Sequence, residues 1–399
     1  MTKTRILTRT ILLVSFVSLF TDIASEMLYP IMPVYLRSIG FSVLLIGILE
    51  GVAEATAGLS KGYFGHLSDV RGRRVPFVRW GYTLSAFSKP MLAVSRFPLW
   101  IFLARTLDRL GKGVRTSARD AILSDEAAPG HKGKVFGFHR AMDTVGAAIG
   151  PSLALLFLAA RPGRYSRLFV IAFVPGLVAI ALTFFLREGR AAAPGPAAPE
   201  AQNVGFLSYL RYWRRAPSGF RYLVSGLLLF TLFNSSDAFL LLALKNRGIS
   251  DTGMIGFYIF YNLAFALLSF PVGVLADRIG LKTMLVFGLL TFSVVYFFFG
   301  FAASAPAFAA LFFLYGLYAS ATEGISKAII SNLAAKSDTA TALGFFNSLA
   351  SLSALAASSI AGLLWYTIGP KAMFMVSGVG VFLVAVYMGL VFQRTRAVP

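Results

Sequence analysis

The chain has 399 residues, 57% of them hydrophobic and only 14% charged, with a mean hydropathy of +0.73, which is too little polar surface to coat a soluble globule of this length. The formal charge of +20 would point to nucleic acid in a soluble protein, but no soluble domain is available to carry such recognition, and basic residues beside apolar runs mark a membrane side instead. With no cysteine, disulfides, thiolate metal sites and cysteine nucleophiles are excluded.

Runs of roughly 20 residues, enough to cross about 30 Å of hydrocarbon, begin with span 1 at 11–36. Its basic lead, MTKTR, imitates a secretory signal; no small-x-small cleavage site follows, so the run reads as a retained helix. Span 1 carries Asp22 and Glu26, four apart and hence on one face. Span 2 (43–66) carries Glu50, Glu54 and Lys61, and ends in GHLSDVRGRR, Gly65 to Arg74. After span 3 (75–95), span 4 (98–122) sets Arg105, Asp108, Arg109, Lys112, Arg115 and Arg119 at steps of three and four, a charged stripe that cannot face lipid. Span 5 (135–160) adds Arg140 and Asp143, with His139 beside them as a capping or interface group. It also holds GAAIGP from Gly146 to Pro151, where small residues and a proline mark a close, kinked contact. Span 6 is 166–186.

A break follows. REGRAAAPGPAAPEAQNVG, Arg187 to Gly205, has no periodicity and reads as a flexible linker. FLSYLRYWRR after it fits either a short amphipathic helix on the membrane surface or an ordinary approach to span 7. Spans 7 to 12 lie near 220–243, 252–276, 282–302, 306–333, 340–366 and 371–393. Their polar residues are fewer: Asn234 and Asp237 on span 7, Tyr258, Tyr261 and Asn262 on span 8, Glu323 and Lys327 on span 10. Strand-like alternation is absent, so helices satisfy the backbone in lipid. The fold class is an all-α membrane protein with twelve transmembrane helices. Most Lys and Arg outside the spans fall on the side holding both termini, which the positive-inside rule places in the cytoplasm, across a bacterial inner membrane.

The two halves repeat. Gly65, Asp69 and Gly72 recur as Gly273, Asp277 and Gly280, each 208 residues on; Gly40, Pro98 and Arg119 recur as Gly248, Pro306 and Lys327 at the same offset. That spacing divides the chain into a six-helix bundle (1–186), a cytoplasmic linker (187–218) and a second, parallel bundle (219–399). This layout, and the loop after span 2, resemble the major facilitator superfamily of secondary transporters. Gly65, Asp69, Gly72, Arg73 and Arg74 match its loop signature, with Val70 where an arginine is expected; the second copy restores it as Arg278. Gly146, Gly150 and Pro151 resemble the core of the family's antiporter motif, without its trailing glycine pair.

The resemblance implies that Asp69 engages the start of span 11 and a basic residue of span 4. The two loop copies, with Gly273, Asp277, Arg278 and Gly280, then form a cytoplasmic gate. It also implies a cavity lined by spans 1, 4, 7 and 10. The candidates for substrate contact are Glu50, Glu54, Asp108, Arg109, Lys112, Arg140, Asp143, Asn234, Asp237, Tyr258, Tyr261, Asn262 and Glu323. Arg115, Arg119, Asp120, Glu323 and Lys327, nearer the helix ends, also fit structural ion pairs. Asp22 and Glu26 are the candidates for proton coupling. No Walker, HExxH or GxSxG motif is present, so no catalytic residue, metal or cofactor is assigned and the chain is not read as an enzyme. The expected partners are protons, a small-molecule substrate and the bilayer, with a monomer as the working unit. The expected function is proton-coupled export of a small polar or charged organic compound; the alternative is proton-coupled import of an organic anion.

Overall fold

The computed structural model describes residues 6–188 and 205–394; the stretch 189–204, within the expected linker, lies outside the described residues. Among the described residues every regular element is helical. The first half comprises α1 (Arg9–Glu26), α2 (Met32–Ser38), α3 (Val43–Val70), α4 (Val75–Val94), α5 (Pro98–Glu126), α6 (Lys132–Ala160) and α7 (Tyr165–Thr183). A 3₁₀ turn at Ser208–Arg211 leads into the single turn α8 (Tyr212–Arg215). The second half comprises α9 (Ser218–Phe233), α10 (Ala238–Asn246), α11 (Asp251–Ile279), α12 (Leu281–Phe299), α13 (Ala305–Leu333), α14 (Thr339–Thr367) and α15 (Pro370–Arg394). All twelve expected spans are helical, and the eight from α6 onward are long and apolar enough to cross a membrane by length and composition alone. Most of the in-span charges fall in the first four.

Two spans read as continuous from sequence are interrupted. Span 1 breaks between Glu26 and Met32, because Pro30 has no N–H for the Glu26 carbonyl and Pro33 opens a new helix. Span 7 breaks between Phe233 and Ala238, where short polar side chains compete for the backbone: Ala238 N donates to Ser236 Oγ at 3.3 Å, and Ser236 N to Ser358 Oγ at 3.2 Å. The second pieces end at Ser38 and Asn246, again 208 apart. The turns that follow repeat too. Gly40 and Gly248 take φ of 95° and 79°, conformations open to glycine, and Ser42 and Ser250 then cap α3 and α11 by accepting from Leu45 N and Gly253 N.

The chain forms two compact units. The first is Met1–Ala128, Met142–Arg214 and Ala335–Ser348, so it includes the first turns of α14. In it α5 packs against α3 and α4, and α7 against α1 and α4. Its apolar core surrounds the break in span 1, with Met27, Leu28, Met32 and Leu36 buried against Ile101, Leu168 and Phe169. The second unit is Pro129–Ala141, Arg215–Ala334 and Leu349–Pro399, which includes the first turns of α6. There α13 packs against α11 and α12, and α15 against α12 and α9. Its core is aromatic, with Phe292, Tyr296, Phe308, Phe312 and Phe374 fully buried.

Candidate functional site

The first half of the stripe on α5, from Arg105 to Arg109, is neutralised by its neighbours. Arg105, 5% exposed, forks onto Glu50 of α3: its Nη2 lies 2.6 and 2.7 Å from the two carboxylate oxygens and its Nε 3.0 Å from one of them. Asp108 accepts from Lys89 Nζ and Ser85 Oγ of α4, both at 2.6 Å, and lies 3.8 Å from Arg105. Arg109 reaches Glu50 at 4.0 Å and Glu54 at 3.6 Å, with its guanidinium 5.8 Å from the centre of the Tyr29 ring. Lys89, Asp108, Arg105, Glu50, Arg109 and Glu54 therefore alternate in sign as a neutral ladder, the arrangement that lets a charged helix sit at bilayer depth. The buried end is Lys89; the solvent end is Glu54, its side chain half exposed.

A second cluster joins α1, α5 and α6. Asp22 of α1 faces Asp143 of α6, close enough for the two carboxyls to act on each other electrostatically, as Glu26 and Lys112 also act on Asp22. Arg119 approaches Asp143 at 4.0 Å, donates to Ser18 Oγ at 2.9 Å and forks onto Asp120 at 2.9 and 3.0 Å. Ser18 in turn pairs with Tyr82 at 3.0 Å. The helices meet this closely because of Gly146 and Gly150: a Cβ there would stand 2.6 Å from the Leu19 carbonyl oxygen and 2.7 Å from Met27 N. Arg115, buried, stacks 4.5 Å over the Tyr82 ring. Among the described residues no carboxylate lies within ion-pair distance of it.

The two loop copies form matching clasps, one in each unit. In the first, Asp69 accepts from Thr341 N at 2.7 Å and Thr341 Oγ1 at 2.9 Å, at the start of α14. In the second, Asp277 accepts from Gly133 N and Lys134 N, both at 2.8 Å, at the start of α6. Each carboxylate satisfies N–H groups that have no partner within their own helix and lies at the positive end of its dipole. Gly65 and Gly273 permit the approach, since a Cβ on either would strike the carbonyl of Ala340 or Gly133 respectively. Gly72 and Gly280 turn the chain at φ of 60° and 100°. The cation on Asp69 is Arg74 at 3.1 Å, from the loop itself, whereas the resemblance implied a base of span 4. That helix instead sends Asp125, which also pairs with Arg74. Arg73 and Arg278 are exposed and make no ion pair among the described residues.

The second unit holds the quieter candidates. Asp237, at the break in span 7, accepts from Tyr315 OH at 2.6 Å, and Asn234 donates to Tyr318 OH at 3.0 Å. Tyr261 packs on Tyr315 at 4.9 Å between ring centres and lies 6.2 Å from Tyr258, whose carbonyl accepts from Asn262. Arg140 pairs with Glu323 at 2.7 Å and lies 4.9 Å over Phe265. Lys89, Tyr82, Tyr315, Tyr318 and Thr341 were absent from the sequence reading. A lysine within an apolar run was a usable signal; the tyrosines and Thr341 are ordinary residues until packing sets them beside a carboxylate.

The family model described as Major Facilitator Superfamily matches residues 14–261 and 238–399. An uncharacterised MFS-type transporter of Methanocaldococcus jannaschii is 34% identical over 381 residues, which span 94% of this chain and 93% of the relative. An uncharacterised protein of Mycobacterium bovis is 30% identical over 338 residues, 83% of this chain and 80% of the relative. Two solved structures share the fold: the human organic anion transporter TETRAN, with a TM-score of 0.78 at 20% identity over 95% of this chain and 99% of that one, and the Escherichia coli fucose:proton symporter, with a TM-score of 0.78 at 11% identity over 97% and 99%.

Proposed function

The chain belongs to the major facilitator superfamily, and from that premise we propose that this multi-pass secondary transporter couples export of a small polar or charged organic compound to proton entry. It binds a small molecule in the membrane and transports it; it is not an enzyme. In our reading the bundles at 1–186 and 219–399 alternate access around a central site, the termini and linker 187–218 are cytoplasmic, and the Asp69 and Asp277 clasps hold that side shut. Asp22 and Glu26 are the coupling groups, with the remaining in-span candidates contacting substrate.

The observation that carries the reading is the meeting of the Asp22 and Asp143 carboxyls, one on α1 and one on α6, beside Arg119. Two carboxylates that share a site repel, which favours a proton on one of them. Bringing a cation against either carboxylate favours its charged form and expels that proton, which links occupancy by substrate to occupancy by proton. The tight Gly146 and Gly150 contact places α6 directly on the Asp22 turn, so a shift of α1 against α6 acts on the pair.

One observation favours the second reading, proton-coupled import of an organic anion. Arg115 holds a buried positive charge that no described carboxylate matches, and an anionic substrate would match it. Everted vesicles separate the two. Export by antiport dissipates an imposed acid-inside gradient when substrate is added outside. Anion symport instead carries protons inward with the anion, and so dissipates an imposed acid-outside gradient when substrate is added outside right-side-out vesicles.

A further inference from the structure

The motif that transport leaves unused is Phe206–Arg215, whose two faces differ sharply. Tyr209, Tyr212 and Ala216 are buried and Trp213 half-buried, at helical steps of three and four. The Tyr209 ring fills the space a Cβ on Gly62 of α3 would need, and its hydroxyl pairs with Ser348 Oγ of α14 at 2.8 Å. Trp213 stacks on Phe345 of α14, 5.7 Å between centres and 15° from parallel. Burial pushes the Tyr212 phenol up to about 12, so Tyr212 stays uncharged through the physiological range. The segment is thus fixed to the ends of α3 and α14, beside the Asp69 clasp.

The other face is exposed. Phe206, Leu207 and Leu210 are 49%, 52% and 37% accessible, interleaved with exposed Arg211, Arg214 and Arg215. None of the three arginines has an acidic partner among the described residues. Such a face suits neither bulk water nor hydrocarbon. It suits the boundary, where lipid phosphates lie directly over acyl chains.

We infer that this face is a binding site for acidic phospholipid headgroups, with Arg211, Arg214 and Arg215 taking phosphate oxygens and Phe206, Leu207 and Leu210 entering the acyl boundary. Guanidinium forks match phosphate geometry, and three unpaired cations give the selectivity for net negative lipid. The inference rests on the proposed cytoplasmic placement of this end, the leaflet side that carries acidic lipid. Its consequence is that headgroup binding anchors the ends of α3 and α14, and so bears on the clasp.

The absence of cysteine makes Leu207→Cys a unique labelling site. A spin label there, in vesicles of phosphatidylcholine with or without phosphatidylglycerol, reports depth through its collisions with oxygen and with a water-soluble nickel chelate. The label sinks deeper when phosphatidylglycerol is present. That response is lost with Arg211→Gln, Arg214→Gln and Arg215→Gln together and kept with three lysines. Retention of phosphatidylglycerol over phosphatidylcholine in detergent falls roughly five-fold per arginine, on the order of a hundred-fold for three. Equal depth in both vesicles, or a response surviving the glutamine variant, would overturn the inference. So would loss of the lipid preference in millimolar inorganic phosphate, which would make a free anion the ligand. Neither readout requires transport, so these results stand apart from the fate of the proposed function.

Discussion

Asp69→Ala removes the carboxylate that caps α14. Three bonds disappear: from Thr341 N at 2.7 Å, from Thr341 Oγ1 at 2.9 Å and from Arg74 at 3.1 Å. Loss of a helix cap costs about 1 kcal/mol, and bonds to a charged acceptor about 1.5 to 3 kcal/mol each. Arg74 keeps Asp125 and the Lys336 carbonyl, and Thr341 Oγ1 can turn to water or His66, so the net loss is about 3 kcal/mol, concentrated on one amide. That corresponds to roughly a hundred-fold rise in the opening of the first turn of α14. Amide hydrogen exchange at Thr341 in reconstituted protein reads it directly. Asp69→Asn, which keeps an acceptor but not the charge, gives an intermediate value, and both variants transport at least about ten-fold more slowly with normal insertion. Unchanged exchange at Thr341 with unchanged transport would refute the clasp.

Lys89→Ala leaves Asp108 at bilayer depth without its nearest cation, a loss of about 3 to 5 kcal/mol. The melting temperature in detergent therefore falls further for Lys89→Ala than for the paired change Lys89→Met with Asp108→Asn, and equal falls would argue against the ladder. Gly146→Val forces α6 away from the Leu19 carbonyl and costs about 1 to 3 kcal/mol; the same change at Gly389, where no atom lies within 4 Å of an added Cβ, is the control. Arg140→Ala costs about 1 kcal/mol or less, because the Arg140 and Glu323 side chains are 32% and 40% exposed. Transport lost from Arg140→Ala without a fall in melting temperature would mark the pair as functional.

The repeat made much of this fold legible. An offset of 208 residues located the paired glycine turns and both clasp aspartates, because turn conformations and helix-terminus contacts impose residue type at fixed positions. The breaks in spans 1 and 7 were not read, although Pro30 and Pro33 marked the first. The second rests on Ser235, Ser236 and Asp237, whose local bonding is common outside breaks too. The stripe on α5 was visible as a stripe, but the neutrality of its first half was not. That depended on Glu50 and Lys89, which lie 55 and 16 positions from Arg105 and come close only through packing. Likewise Asp22 and Asp143 were each singled out for being ionisable at depth, and only the α1–α6 contact makes them a pair.

The most direct test of the account is proton movement in proteoliposomes challenged with a panel of organic cations, anions and antibiotics, comparing wild type with protein carrying Asp22→Asn and Glu26→Gln. The wild type shows a compound-dependent proton flux, which the variant loses while it still exchanges the compound across the membrane. Compound exchange with no accompanying proton flux in the wild type, or a flux that survives in the variant, would contradict it.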